Sequence, residues 1–221
     1  YVIITHHHFD HVLGNIAFKT DTNKFKPVEI IAHKKMELSL KNSADYYLEQ
    51  MKSLLGDEAT QEIIVTPDRT VDIGQPLELD LGGRVLKLTA HPTAHTNNDL
   101  SVLDQQTGSL WLGDLLFVEH IPTLEGSING WLDVLDTIMN EPAARALPGH
   151  GPVDVSWPDG AKPEHRYFST VRDEVRQLIQ EGADIEQARD NVGHSEASHW
   201  HNFDLHHKRN VIRAYTELEW E

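Results

Sequence analysis

The chain has 221 residues, about the length of one domain, and carries 19 basic against 35 acidic residues. The resulting formal net charge of −16 repels phosphate backbones and argues against a nucleic-acid substrate. No apolar run reaches the roughly 20 residues that a membrane-spanning helix needs, so we also expect no membrane partner.

The first predicted element is a buried strand over residues 1–4, which leads into a run of histidines. Alternate side chains of a strand lie on the same face, so we expect His6 and His8 to converge as imidazole ligands. His7 would point the other way, and we assign it no metal role.

Asp10 and His11 follow this strand, where a short helix is predicted over residues 12–15. That helix would direct a carboxylate and another imidazole toward a neighbouring point, which is the arrangement that a second metal ion needs. A purification-tag remnant would be an uninterrupted run of histidines, whereas Phe9 and Asp10 interrupt this one at a ligand spacing.

Strands and helices then alternate, which predicts an α/β fold. Trp111 and Trp131 lie in periodic apolar segments and are interpreted as core residues. The predicted elements are a strand over 28–32, a helix over 34–55 with Gly56 as its stop, a hairpin of 77–81 and 85–89 around Gly82 and Gly83, a helix with Trp131, Val134, Leu135, Ile138 and Met139 on its buried face, and helices over 163–182 and 208–219.

Three later segments supply further candidate ligands. His95 lies in a loop of small residues that enters a strand. Asp114 follows the apolar strand 110–112, and we expect it at the strand end. His150 stands between two glycines, which allow a tight turn and a close approach of the backbone.

These motifs, His-x-His-x-Asp-His, then His, then Gly-Asp, then Pro-Gly-His-Gly, resemble in kind and order those of the metallo-β-lactamase superfamily. The resemblance implies an αββα sandwich over a single domain, residues 1–221, with the N-terminal strands of the fold expected to be missing. It implies two zinc ions, with His6, His8 and His95 on the first, Asp10, His11 and His150 on the second, and Asp114 bridging them. The chain has no cysteine, so this ligand set looks closer to the glyoxalase II-like branch.

A narrower likeness covers residues 111–122, 126–127, 130–132, 207–211 and 217–219, together with Tyr215. These segments resemble the quinoprotein relay system zinc metallohydrolases. That resemblance implies a periplasmic location and a pathway partner among quinoprotein dehydrogenases. The absence of cysteine fits a periplasmic protein without disulfides and equally a cytosolic one, and the sequence leaves the oligomeric state open.

The implied reaction is hydrolysis of an ester, thioester or lactam-type bond in a small molecule by a metal-bound hydroxide. Asp10 and Asp114 are the candidate catalytic carboxylates, and Asp10 is expected to orient the nucleophile. Iron or manganese would also suit nitrogen and carboxylate ligands. An iron-dependent oxidoreductase and a non-catalytic metal-binding accessory protein therefore stay open as alternatives.

The C-terminal part is rich in histidine, and we interpret it as a surface or substrate-mouth segment rather than another metal site. His120 is either a pocket residue or an ordinary hydrogen-bonded histidine. The histidines of the C-terminal segment are His194, His199, His201, His206 and His207.

Overall fold

The computed structural model describes residues 1–20, 28–56 and 59–221. In these ranges the strands are β1 Val2–Ile3, β2 Ile30–His33, β3 Arg69–Val71, β4 Leu77–Asp80, β5 Val85–Ala90, β6 Leu100–Asp104, β7 Ser109–Phe117, β8 Arg145–His150 and β9 Val155–Ser156. The helices are α1 Phe9–Val12, α2 Ile16–Thr20, α3 Met36–Leu55, α4 Ile128–Ile138, α5 Lys162–Gln180, α6 Ile185–Asn191 and α7 Phe203–Leu218. None of the described helices combines the length and apolarity that crossing a membrane requires.

The strands form two sheets. β1, β2 and β3 make a parallel three-stranded sheet. β4 to β9 make a six-stranded sheet in chain order, antiparallel except for the parallel pair β7 and β8. The loops after β1, β5 and β7, helix α1, the middle of β7 and the end of β8 supply the residues of the candidate site.

Alternate side chains of β2 point to opposite faces of the first sheet and enter two different apolar clusters. Ile30 and Ala32 pack with Leu40 of α3, whereas Ile31 packs with Leu88 and Leu100 of the second sheet. Each β2 side chain thus goes to the layer that its position in the strand dictates. The layer between the two sheets is therefore a continuous apolar core.

The outer face of the second sheet is covered by α4, α5 and α7. Leu110 and Leu112 of β7 belong to one buried cluster with Trp131 of α4 and Phe168 of α5. Trp111 faces the other way and packs against the core between the sheets. Trp131 is therefore a core residue as predicted, whereas Trp111 is only partly buried at the edge of the core. The helix–sheet–sheet–helix order confirms the predicted αββα sandwich.

Most predicted elements are present with shifted ends. α3 begins at Met36 and its C-terminal cap is Gly56, and the predicted hairpin is formed by β4 and β5. The predicted helix over 12–15 is present, with Val12 as the last residue of α1 and a 3-10 helix over Leu13–Asn15, but the helical segment starts earlier than predicted. His8 has an extended backbone, so α1 already begins at Phe9 and carries Asp10 and His11 itself.

The last helix also begins earlier than the predicted residue 208. Asn202 has a positive φ of 60°, which separates the preceding turn from α7, and the helix begins at Phe203. Helix α6 was not predicted, although its capping box is visible in the sequence. Asp184 accepts a hydrogen bond from the Gln187 backbone, and the Gln187 side chain accepts one from Asp184 N.

Asp114 lies inside β7 rather than at the end of a strand. Gly113, with φ of +53°, interrupts the pairing register with β8, and the strand then continues to Phe117. The predicted close approach at Gly149 is confirmed. A Cβ atom placed there would lie 1.9 Å from Asp114 Oδ1 and 2.8 Å from Asp114 N.

We expect Gly149→Ala to destabilise the metal-free protein by about 1–3 kcal/mol, because the added methyl group overlaps backbone and carboxylate atoms of β7. Gly14→Ala is the matched control. A Cβ at Gly14 has no atom within 4 Å, so the expected change is within about 0.5 kcal/mol. Urea denaturation measures both values, and equal unfolding free energies for the two variants would contradict the close approach.

Candidate metal centre

The histidine run lies in the loop between β1 and α1. β1 spans only Val2–Ile3, so the prediction that a strand places His6 and His8 on one face is wrong. Their convergence comes from the path of this loop, which is tied to the second sheet because Leu100 N donates a hydrogen bond to Thr5 O over 2.7 Å. The loop therefore delivers its imidazoles to the edge where the two sheets meet.

The first cluster consists of His6, His8, His95 and Asp114. One ligand atom from each residue lies within 4.8 Å of the others. His95 Nε2 is 3.1 Å from His8 Nδ1, so these two nitrogens are directed at a common point. This geometry brings together the three histidines that the sequence resemblance assigns to a first zinc.

The opposite nitrogen of each imidazole has a hydrogen-bond partner outside the cluster. Such bonds fix the tautomer and the orientation of a ring that binds metal through its other nitrogen. The pairs are His6 Nδ1 with Thr5 Oγ1 at 3.2 Å, His95 Nδ1 with Thr123 O at 2.9 Å, and His8 Nε2 with Glu125 Oε2 at 3.0 Å.

The second cluster consists of Asp10, His11 and His150, whose candidate ligand atoms also lie within 4.8 Å of one another. Asp10 Oδ2 is 3.4 Å from the Nε2 atom of each of the two histidines. α1 supplies Asp10 and His11, and the last residue of β8 supplies His150. The described residues thus form a second candidate ligand set beside the first.

Asp114 lies between the two clusters. Its Oδ2 atom is 3.7 Å from His6 Nε2, 3.5 Å from His95 Nε2 and 3.3 Å from His150 Nε2. Its Oδ1 atom is 3.1 Å from His11 Nε2. A carboxylate in this position can contact ions in both clusters.

Two histidines of the first cluster, His6 and His95, are held neutral by burial. Desolvation lowers the pKa of His6 well below its usual value and lowers the pKa of His95 to about 4, even though Asp114 opposes the shift. At neutral pH both rings therefore offer a lone pair without first losing a proton.

The second cluster has the opposite electrostatic state. Burial acts to lower the pKa of His11, but Asp10 and Asp114 outweigh it and raise the value to about 9. The same carboxylates raise the pKa of His150 to about 10. Hydrogen bonds from His11 and His150 in turn hold the pKa of Asp10 below its usual range. At neutral pH these raised pKa values favour the protonated form of both rings, so a cation that binds between them must displace their protons.

The donor set fits a metal ion. His6 Nε2 is buried and has no hydrogen-bond partner within the described part of the chain, which is a costly state that a coordinated cation would relieve. The clusters offer nitrogen and carboxylate oxygen and no sulfur, and this chemistry suits zinc, iron and manganese.

Both clusters border a cavity of about 520 Å³. Phe9, Tyr46 and Tyr47 line it from α1 and α3. Glu125 and Arg209 line it from the loop after β7 and from α7. The cavity therefore combines an aromatic wall with a charged one next to the candidate metal positions.

The other histidines lie outside these clusters. His7 accepts a hydrogen bond from Asn98 Nδ2 at 2.9 Å, consistent with the expectation that it has no metal role. His120 lines a neighbouring cavity of about 240 Å³ and accepts a hydrogen bond from Asn202 Nδ2 at 3.4 Å. Both alternatives given for His120 therefore hold.

Two neighbouring C-terminal histidines, His206 and His207, lie in contrasting environments. His206 lines both cavities, as expected for a substrate-mouth segment. His207 contradicts that interpretation, because it is buried, stacks on Phe203 and accepts a hydrogen bond from the Tyr167 hydroxyl at 3.0 Å. No C-terminal histidine joins a metal-type cluster among the described residues.

Sequence reasoning missed Glu125 and Arg209. Glu125 Oε2 accepts a hydrogen bond from His8 Nε2, and Glu125 Oε1 accepts one from Arg209 Nη2 over 3.0 Å. The hydrogen bond from His8 lowers the pKa of Glu125 to about 2, so it is a carboxylate at neutral pH. A single acidic residue in an aperiodic loop gives no pattern from which this contact could be predicted.

Two solved structures are similar in fold. A metallo-β-lactamase from Pontibacter korlensis has a TM-score of 0.55 and 17% identity, over 76% of this chain and 67% of that one. A stereoselective inverting sec-alkylsulfatase from Pseudomonas sp. has a TM-score of 0.64 and 15% identity, over 97% of this chain and 40% of that one. At these identities the likeness shows the shared fold alone.

Sequence comparison finds relatives as well. The chain is 32% identical over 153 residues to the beta-lactamase-like protein 2 homolog of Caenorhabditis elegans. The aligned region covers 69% of this chain and 42% of that protein. It thus spans less than half the length of this relative. The model of the metallo-beta-lactamase superfamily matches residues 1–150, a range that contains all seven candidate ligands. The chain belongs to the metallo-β-lactamase superfamily.

Proposed function

We propose that this protein is a hydrolase with two metal ions, zinc in our assignment. The observation that carries the proposal is the convergence of seven side chains from distant parts of the sequence on two adjacent points. The proposed ligands are His6, His8 and His95 for the first ion, Asp10, His11 and His150 for the second, and Asp114 between them.

When bound, the ions would polarise a carbonyl group and lower the pKa of water from 15.7 toward about 7. The chain then needs no nucleophile of its own. Asp10 lines the cavity with 38% of its side chain exposed, so it can orient a water molecule there. Asp114 is only 4% exposed and keeps its negative charge between the two cation positions.

The proposed substrate is a small molecule with an ester, thioester or lactam-type bond. A cavity of about 520 Å³ falls in the size range of small-molecule sites. Superfamily membership supports hydrolysis, and the sequence relative and the similar structure described above are named as a β-lactamase-like protein and a sulfatase. We further propose a periplasmic role in a quinoprotein dehydrogenase pathway, supported by the sequence likeness of residues 111–122 and 207–211.

We expect purified protein to contain close to two zinc ions per chain and to hydrolyse members of a panel of esters, thioesters and lactams. His8→Ala and Asp114→Ala should each lower the metal content and reduce kcat/KM by at least about a hundredfold, because they remove first-ion or bridging ligands. Elemental analysis and substrate assays measure both quantities.

His194→Ala is the control and should leave both quantities unchanged, because this exposed ring hydrogen-bonds Asp190 O over 2.9 Å and belongs to neither ligand cluster. Iron in place of zinc after anaerobic purification would support an oxidoreductase instead. Two bound ions without turnover of any substrate, together with co-purification of a dehydrogenase, would support an accessory protein.

The two sites should differ in the pH dependence of metal binding. Metal binding at the second site must displace protons from His11 and His150, whose pKa values are raised to about 9 and about 10. Affinity there should therefore rise with pH, by on the order of tenfold per displaced proton per pH unit between about pH 6 and pH 8. Affinity at the first site should change little, because the pKa values of His6 and His95 are already low.

Calorimetry in buffers of different ionisation enthalpy counts the protons released at each binding step. We expect about two protons to be released when metal binds at the second, weaker site and few when it binds at the first, tighter site. The same pH dependence for both ions would show that the two clusters do not differ in protonation as described.

A further inference from the structure

His8 differs from the other two histidines of the first cluster in how it is held. The side chains of His6 and His95 are 1% and 0% exposed, so packing fixes their rings. His8 is 16% exposed and borders the cavity. Its orientation depends more strongly on the hydrogen bond that its Nε2 atom donates to Glu125 over 3.0 Å.

The partner of His8 is also chemically different. His6 and His95 donate to the neutral oxygens of Thr5 and Thr123, whereas His8 donates to a carboxylate. A hydrogen bond to an ionised acceptor is roughly twice as strong as a neutral one, and it makes the opposite nitrogen a better donor to metal. His8 is therefore the ring that packing restrains least, and it has the strongest hydrogen-bond acceptor of the three.

Glu125 is itself fixed by helix α7. Arg209 Nη2 donates to its Oε1 atom over 3.0 Å, which leaves Oε2 for His8. The buried Asn210 anchors the same loop, since its Oδ1 accepts from Leu124 N at 2.9 Å and its Nδ2 donates to Pro122 O at 2.7 Å. α7 lies outside residues 1–150, the range that the superfamily model matches.

We infer that Glu125 is a positioning residue for the metal ligand His8, and that Arg209 of α7 positions Glu125. The C-terminal helix thereby contributes to metal affinity at the first site without supplying a ligand. This inference rests on the proposed function in one respect, namely that His8 binds a metal ion through Nδ1.

The test compares metal affinity in variants of Glu125 and Arg209 by competition of zinc with a chromophoric chelator. Glu125→Ala should weaken metal binding at the first site, where the tighter ion is expected, by about 10–100-fold. This is the usual effect of removing the hydrogen-bond partner of a metal-bound histidine. Glu125→Gln keeps an oxygen acceptor for His8 and should recover part of that loss. Arg209→Ala should weaken binding by a few fold, because its ion pair is partly exposed.

Arg213→Ala is the matched control for Arg209. Arg213 lies one turn further along α7 and donates over 3.2 Å to the backbone carbonyl of Gly126 instead of to Glu125. Arg213→Ala should change metal affinity by less than about twofold, which is less than the effect expected from losing the Arg209–Glu125 ion pair. Cobalt-substituted protein adds a spectroscopic readout, because the visible bands of Co²⁺ should shift in Glu125→Ala and remain at their wild-type positions in Arg213→Ala.

The outcomes separate the inference from the proposed function. If the wild-type protein binds metal, His8→Ala loses it and Glu125→Ala binds with wild-type affinity and an unshifted cobalt spectrum, the positioning role is wrong while the metal site stands. Equal losses in the Arg209 and Arg213 variants would also overturn the role of Arg209. If the wild-type protein itself binds no zinc or cobalt, the proposed function fails, and the inference fails with it.

Discussion

The structure depends on one buried carboxylate. Asp114 is only 4% exposed, yet its two oxygens lie within 3.7 Å of imidazole nitrogens of His6, His11, His95 and His150. A charge removed from water is costly unless opposite charge compensates it. In the metal-free protein His11 and His150 provide that compensation as cations, because their pKa values are raised. Metal ions would replace these protons with stronger positive charge at the same place.

The sandwich makes this convergence possible. β1 lies in the first sheet and β7 and β8 in the second, so their loops and ends meet only because the two sheets pack face to face. The site also needs backbone at very short range, and Gly149 provides it where β8 passes the Asp114 carboxylate. Fold and site are therefore linked through packing between the sheets, and a lost contact there would displace ligands from several elements together.

The architecture and the seven candidate ligands could be predicted from the sequence. The predictions of local structure around those ligands failed for physical reasons. Local spacing pointed to His6 and His8, but the geometry that joins them is a loop and not a strand. Asp114 was expected at a strand end, and a glycine with positive φ instead lets β7 continue past it. The resemblance was needed to link His95 and His150 to the first motif, because nothing in local periodicity reports a contact between residues so far apart.

The contacts around the ligands were less predictable than the ligands. Glu125 and Arg209 are ordinary charged residues in sequence, and only the docking of α7 on the loop after β7 brings them to His8. α6 was missed although its capping box was visible, since a seven-residue polar helix has little apolar periodicity. Side chains from separate elements that meet through tertiary packing lie beyond what spacing along one segment can show.

Anomalous diffraction at the zinc absorption edge, from crystals grown with zinc, tests the central claim most directly. The account predicts two peaks about 3.5–4 Å apart, one bonded by His6 Nε2, His8 Nδ1 and His95 Nε2, and the other by Asp10, His11 and His150, with Asp114 in contact with both. A map without peaks at these atoms, or with zinc bound only elsewhere on the surface, would contradict it.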